Sequence, residues 1–481
     1  MRGVTSDSRD AYWARSAVEV VSLLQSGEIT PNELLDSLED RVSEVDRHVN
    51  ALPTLCFDRA RRAARSCSRM DKRRGPLWGL PVAIKDSVPV AAVRTTYGSR
   101  AFAEHVPERS AGLVELIEAR GGIVYAKSNT PEFEAGANTF NEVFGATRNP
   151  WDVRLSAGGS SGGAAVAVAT GMAWLAQGTD FACSLRNPAS FNGVVGLRPG
   201  PGVVPQGSNG VPFQTLSVAG PIARSVADCG LFLDAMAGHS SQDPLSFDGS
   251  GRRYTEAAAT PRCPARIAFS ADLGITAVED GVVSICRSAV AALGGEGIDV
   301  IETHPDMREA HWAFRTLRAL QFATAWAHVL DDHRNELKPE VVWNIEEGLA
   351  LTAEDIVAAE RARAAICARV VEFLAEYEFL LLPTAIVPPF PLEQRYVDRC
   401  AGLKFDNYLE WMAIAYAISL TACPAISVPC GLTEEGVPVG LQIIARPRAE
   451  RALLSFAAFV EEMFGVYLSL PIDPRPIGGD D

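Results

Sequence analysis

GGSSGGAAVAVATG, residues Gly158 to Gly171, is the stretch on which the reading of this chain turns. A glycine–serine run of this kind suits three roles: a flexible spacer, a cradle for phosphate, or a working loop that holds hydroxyls against backbone. A P-loop cradle needs a lysine followed by serine or threonine after its glycines, and none follows here. A spacer fits poorly too, because the glycines run straight into AAVAVATG, a small-residue segment that can pack as a buried helix. What remains is a loop entering a helix, which gathers unpaired backbone N–H groups and the hydroxyls of Ser160 and Ser161 in one place. Such a loop is either a catalytic element or a tight turn, and its own spacing leaves both open.

Two other segments bear on that choice. Lys85 ends the apolar run LPVAIK, which carries its amine toward a partly buried position where desolvation disfavours the charge and would let it act as a base. The plain alternative is a lysine that snorkels to water or pairs with Asp86. Downstream, TDFACSLRNPASFNGVVGLRP, Thr179 to Pro199, sets Ser184 among small residues, with Asp180 and Arg186 able to lock the loop as an ion pair. Cleaving an amide takes a serine nucleophile, a base for its proton and backbone N–H donors facing the developing oxyanion. These three segments can supply all three.

Strand and helix patterns alternate around them. Residues 16–49 hold two helical patterns broken at Gly27 to Pro31, where Thr30 before Pro31 is a good cap pair. LPVAIK and GGIVYAKSN read as strands with AGLVELIEARG as the helix between them. SVADCGLFLDAMAG is a helix opened by Ser225 and Asp228, and ARIAFSADLG and GIDVIET are strands around another. Residues 307–378 read as largely helical, LLLPTAIVPPFP as a strand running into a proline-stiffened loop, and the close as strand, strand, helix. The rhythm predicts an α/β fold, a large mixed β-sheet covered by helices on both faces, with an N-terminal helical segment.

Composition excludes several classes. Apolar residues at 47% and charged residues at 21% mark an ordinary globular chain rather than a disordered one. A net charge of −15 argues against nucleic acid as main partner. The local exception, residues 59–74, carries eight basic residues and one acid and reads first as a solvated helix face. The N-terminus lacks the apolar core of a secretory signal. The uncharged windows Leu155 to Thr179 and Pro199 to Ala223 are too rich in small residues, glycine or proline for membrane spans. Ten widely spaced cysteines, without a CxxC pair, read as reduced thiols of a cytosolic chain.

GPLWGLPVAIKD, AKSNTPEF, GATRNPWD, GGSSGG, GTDFACSLRNPA, GLRP and PAISVPCG with GLQIIA resemble the amidase signature family, in that family's order and over most of the chain. The resemblance implies one amidase signature domain over residues 8–475, with a helical segment at 8–70 and a variable pocket region at 300–400. It implies Lys85 as the base, Ser160 as the relay serine in a cis peptide, and Ser184 as the acyl-forming nucleophile. The backbone N–H groups of Phe181, Ala182, Cys183 and Ser184 would form the oxyanion hole, with Ser161, Asp180 and Arg186 in support. Neither cofactor nor metal is required. A small-molecule amide is the expected partner, with no membrane partner, and a cytoplasmic homodimer is expected.

One departure stands out, because Ala182 and Cys183 occupy positions where the family usually has glycines. A left-handed conformation at either would cost about 1 kcal/mol, and the added side chains would narrow or reshape the pocket and tune specificity. The alternatives are lost or altered activity, or a chemical part for Cys183. The resemblance implies an amidase, and small, apolar or aromatic, linear or cyclic amides are the substrates expected from Trp312, Phe314, Phe322, Trp326 and Trp343 in the central helices, residues that are more often core than pocket. The alternatives are the catalytic subunit of a glutamine-dependent tRNA amidotransferase and a non-catalytic scaffold that kept the fold.

Overall fold

Reciprocal caps open the chain. Ser16 Oγ accepts the Glu19 N–H while Glu19 accepts the Ser16 N–H, and Thr30 and Glu33 repeat the exchange. These fix the helices Ala17–Ser26 and Pro31–Val49, the second with proline in its first turn. The computed structural model describes residues 11–67, 75–206, 211–249 and 253–475. Residues 8–10 of the expected domain and 68–74 of the basic run lie outside them.

Eleven strands then form one mixed sheet. In chain order they are β1 Thr54–Leu55, β2 Pro81–Lys85, β3 Ile123–Ser128, β4 Leu175–Asp180, β5 Val195–Arg198, β6 Val218–Ala223, β7 Arg266–Phe269, β8 Asp299–Glu302, β9 Phe379–Pro383, β10 Ala425–Leu432 and β11 Pro438–Ile444. Their spatial order is β1-β3-β2-β4-β6-β5-β10-β11-β9-β7-β8. β3, β2 and β4 run parallel, as do β9, β7 and β8, and the pairings between these blocks are antiparallel. β2, β3 and β4 are buried at every position, and β2, PVAIK, accordingly reads as a continuous run rather than an alternating one. Among the described residues no helix is long and apolar enough to cross a membrane.

β2 and β4 pair through Val82 with Leu175 and Ala83 with Ala176, so Lys85 and Asp180 finish neighbouring parallel strands at the same sheet edge. That carboxyl edge is where open α/β sheets build sites. The helix Gly162–Ala169 is buried along its whole length. It lies close to its neighbours because of small residues on both sides: a Cβ on Gly178 of β4 would come within 2.8 Å of Ser161 Oγ, and one on Gly163 within 2.4 Å of the Asn129 nitrogen.

The expected helical stretch is present as Ala310–His333, Pro339–Ala350 and Ala353–Glu376. The described part of the basic run lies on helix Phe57–Cys67, where Arg59 pairs with Glu118 at 2.7 Å and Arg61 with Asp36 at 2.6 Å. All ten cysteines are free thiols.

Candidate active site

Lys85 is fully buried, and its amine donates to Ser160 Oγ at 2.6 Å and to Thr179 Oγ1 at 2.7 Å. Its third partner is not the adjacent Asp86, which accepts from Thr96 and lies 3.9 Å from Lys127. It is Glu134, whose Oε1 lies 3.0 Å from Lys85 Nζ. The same oxygen accepts from Ser87 and Thr179 hydroxyls at 2.5 Å each. Burial dominates the lysine and pushes its proton affinity below the ordinary range, with Glu134 pulling the other way and Asp180 and Cys183 adding to that pull. Burial also acts most strongly on Glu134, upward, but Lys85 and the hydroxyls outweigh it and hold the carboxyl low.

Sequence reading missed Glu134 because its placement is a backbone effect. Phe133 and Glu134 both take positive φ, 45° and 60°, in a short turn after β3. Non-glycine residues pay about 1–2 kcal/mol each for that region, a strain that aims the carboxylate at Lys85. The available signal was a second acid beside a motif, in the text PEFEAG.

Ser160 follows a cis peptide bond from Gly159 and is fully buried. Ser161 supports the loop: its N–H donates to the Ser184 carbonyl at 3.3 Å, and its hydroxyl donates to the Thr179 carbonyl at 3.2 Å. Ser184 is 6% exposed. Among the described residues its hydroxyl has no hydrogen-bond partner, and none of the N–H groups of residues 181–184 donates one. A row of free N–H groups beside a free hydroxyl can meet a carbonyl and its developing charge.

Asp180 and Arg186 form the expected lock, at 2.9 and 3.0 Å, and Arg198 joins them with Nη1 3.3 Å from Asp180 Oδ1. All three side chains are fully buried. Arg186 also donates to the Ala182 carbonyl at 2.7 Å, so the ion cluster pins the loop that carries Ser184. Burial works most strongly on Asp180, upward, but the two guanidinium groups and the Leu185 N–H keep its carboxyl ionised below the usual range.

Ala182 and Cys183 do not have positive φ, so the condition for a left-handed penalty is not met at either. Phe181, beside them in the chain, lines the cavity, while both of them are buried. Cys183 is buried against the Gly159 carbonyl, 3.9 Å from its sulfur, and burial pushes the thiol far above its ordinary range, which opposes thiolate chemistry.

The cavity adjoins Thr179 and Glu134 and is walled by Tyr97, Phe133, Phe181, Phe322 and Trp326. Of the five candidate aromatics only Phe322 and Trp326 line it. Phe314 is buried behind Phe181, Trp343 packs on Tyr408, and Trp312 is 43% exposed. Among the described residues no cluster of three or more histidine, cysteine, aspartate or glutamate side chains is placed to hold a metal ion.

The pair Lys85–Glu134 carries a pH prediction. A base must be neutral, and Glu134 stabilises the charged ammonium; removing that charge in Glu134→Gln makes Lys85 easier to deprotonate. The acidic limb of the kcat/KM profile is expected to move to lower pH. A profile that loses height without moving would assign Glu134 a purely structural part.

The pattern of the family described as Amidase matches residues 33–454. An acylamidase of Rhodococcus erythropolis is 35% identical over 462 residues, covering 94% of this chain and 96% of the relative. The A subunit of the glutamyl-tRNA(Gln) amidotransferase of Moorella thermoacetica is 33% identical, covering 93% and 96%. Among solved structures, a bacterial aryl acylamidase of the amidase signature enzymes has the same fold, with a TM-score of 0.89 at 24% identity over 96% of this chain and 99% of that one. A 6-aminohexanoate cyclic dimer hydrolase matches with a TM-score of 0.85 at 26% identity and the same coverage.

Proposed function

Because this chain belongs to the Amidase family, and so acts on the C–N bond of amides, we propose that it hydrolyses small carboxylic amides with an apolar or aromatic body through an acyl-enzyme on Ser184. The observation that carries this reading is the buried Lys85 amine at 2.6 Å from Ser160 Oγ, on the loop that holds Ser184 through the Ser161 N–H. The acylamidase and aryl acylamidase likenesses and the aromatic cavity wall support the substrate class.

In the resting neutral state the Ser160 hydroxyl donates a hydrogen bond to the Lys85 amine. Ser184 Oγ then attacks the amide carbon, its proton passing to Ser160 as the Ser160 proton passes to Lys85. The carbonyl oxygen takes up negative charge against the N–H groups of residues 181–184. Collapse breaks the C–N bond, and the amine leaves with the proton returned along the same path. Water, deprotonated by the same relay, then cleaves the Ser184 ester and releases the acid.

The likeness to amidotransferase subunits favours a second reading, a glutamine-hydrolysing subunit that works beside partners. The purified chain alone separates the two. It is expected to hydrolyse aliphatic, aromatic or cyclic amides unaided, and a fluorophosphonate is expected to label Ser184, with the label lost in Lys85→Ala. Activity confined to glutamine, or label elsewhere, would reverse the order of the readings.

A further inference from the structure

The cavity contains a charge that the proposed chemistry does not use. Arg318, Gln321, Phe322, Ala325 and Trp326 line it from helix Ala310–His333, at the spacing of one helical stripe. Arg318 is only 2% exposed. Its guanidinium lies 4.8 Å from the centre of the Phe181 ring and 4.5 Å from that of Phe322. Nε donates to Asn344 Oδ1 and Nη2 to the Tyr408 hydroxyl, both at 3.2 Å. Every one of these partners is neutral.

Among the described residues no carboxylate comes within 4.0 Å of this group. The contrast with its neighbours is sharp: Arg315 on the same helix pairs with Glu347, and Arg186 and Arg198 share Asp180. Glu134 also lines the cavity, but its carboxylate is already committed to Lys85, Ser87 and Thr179. A guanidinium stays charged at any working pH, and burying it without an anion is costly; two ring faces and two neutral acceptors offset only part of that. Its planar fork suits a carboxylate held by two parallel hydrogen bonds. It also covers Phe181, three residues before Ser184, and its charge is felt at the Cys183 thiol.

We propose that Arg318 is the anion-binding residue of the substrate cavity, and that the amides turned over here carry a carboxylate beside their aromatic or apolar body. This rests on the cavity being the substrate site of the amidase. Two matched pairs test it, each a carboxylate against an isopropyl group of similar shape: glutaric acid mono-4-nitroanilide against 5-methylhexanoic 4-nitroanilide, and N-benzoylglycine against N-isobutylbenzamide. In at least one pair the carboxylate is expected to be preferred at least tenfold in kcat/KM. The same preference is expected in Kd measured by calorimetry on Ser184→Ala, which needs no turnover.

In Arg318→Gln that preference is expected to collapse to within threefold, and in Arg318→Lys, which keeps the charge but not the fork, to be intermediate. Equal or better use of the isopropyl member in both pairs, or a preference that survives Arg318→Gln, overturns the proposal. Should Arg318→Gln fail to fold, the wild-type ratios and Arg318→Lys decide it. Flat pairs with turnover that vanishes in Ser184→Ala would overturn this inference and leave the acyl-enzyme standing. Turnover that survives Ser184→Ala would overturn the acyl-enzyme, with the calorimetric ratios still deciding Arg318.

Discussion

Ser184→Ala is expected to lower kcat on every amide substrate by on the order of 10⁵- to 10⁶-fold, the scale of loss when a serine hydrolase is deprived of its nucleophile. That corresponds to about 7–8 kcal/mol of barrier. The size follows from the proposed division of labour, in which Lys85 and Ser160 move a proton and only Ser184 offers an oxygen to bond with the acyl carbon. What survives would come from the free N–H groups of residues 181–184 and from binding. Lys85→Ala should fall in the same range, and the double variant should be little worse than either single one, because the groups act as one relay. Steady-state rates on a chromogenic anilide decide the matter. Retention of more than about 1% of turnover in Ser184→Ala would rule out the mechanism.

The second large effect is on stability. Asp180→Asn is expected to cost about 3–5 kcal/mol, because it leaves Arg186 and Arg198 buried with no anion while preserving shape. The midpoint of urea unfolding should drop accordingly, and Arg198→Met in the same chain should recover part of the loss by removing one orphaned charge. The carboxyl is held below its ordinary range in the fold, so its contribution is complete at neutral pH. It is lost only as the pH falls through that depressed value. A change under about 1 kcal/mol would mean that water or neighbouring acceptors already satisfy the guanidinium groups.

β2 and β9 were legible because they are buried on both faces and read as apolar runs, PVAIK and FLLLP, whereas β4, LAQGTD, is equally buried but mixes polar and small residues and carries no such mark. Lys85, Ser160 and Ser184 were singled out because their motifs occur together in one order, each short piece alone being weak. The resemblance supplied their roles, since spacing alone left GGSSGG open between a turn and a catalytic loop. Glu134 was not legible: its carboxylate reaches Lys85 through two consecutive left-handed residues, and backbone sign at non-glycine positions leaves no mark in the text. For the same reason the sequence left open whether Ala182 or Cys183 is left-handed, and neither is. Of the candidate aromatics Phe322 and Trp326 line the cavity, but periodicity gives the face of a helix and not the turn at which a cavity opens. Phe314, one turn before Arg318, therefore supports Phe181 from behind instead of facing the cavity.

Lys85 and Ser160 stand 75 residues apart along the chain, and Glu134 and Thr179 stand 45 apart. The strands bearing Lys85 and Asp180 are parallel neighbours, a pairing that no hairpin can make. Joining segments this distant costs loop-closure entropy that local helix formation does not. The reactive cluster therefore exists only once these distant segments have closed on one another, and a chain with its helices but without that pairing is chemically silent. Recovery of catalysis after denaturation consequently reports the closing of β2 against β4, a stricter sign of the native state than any helical signal.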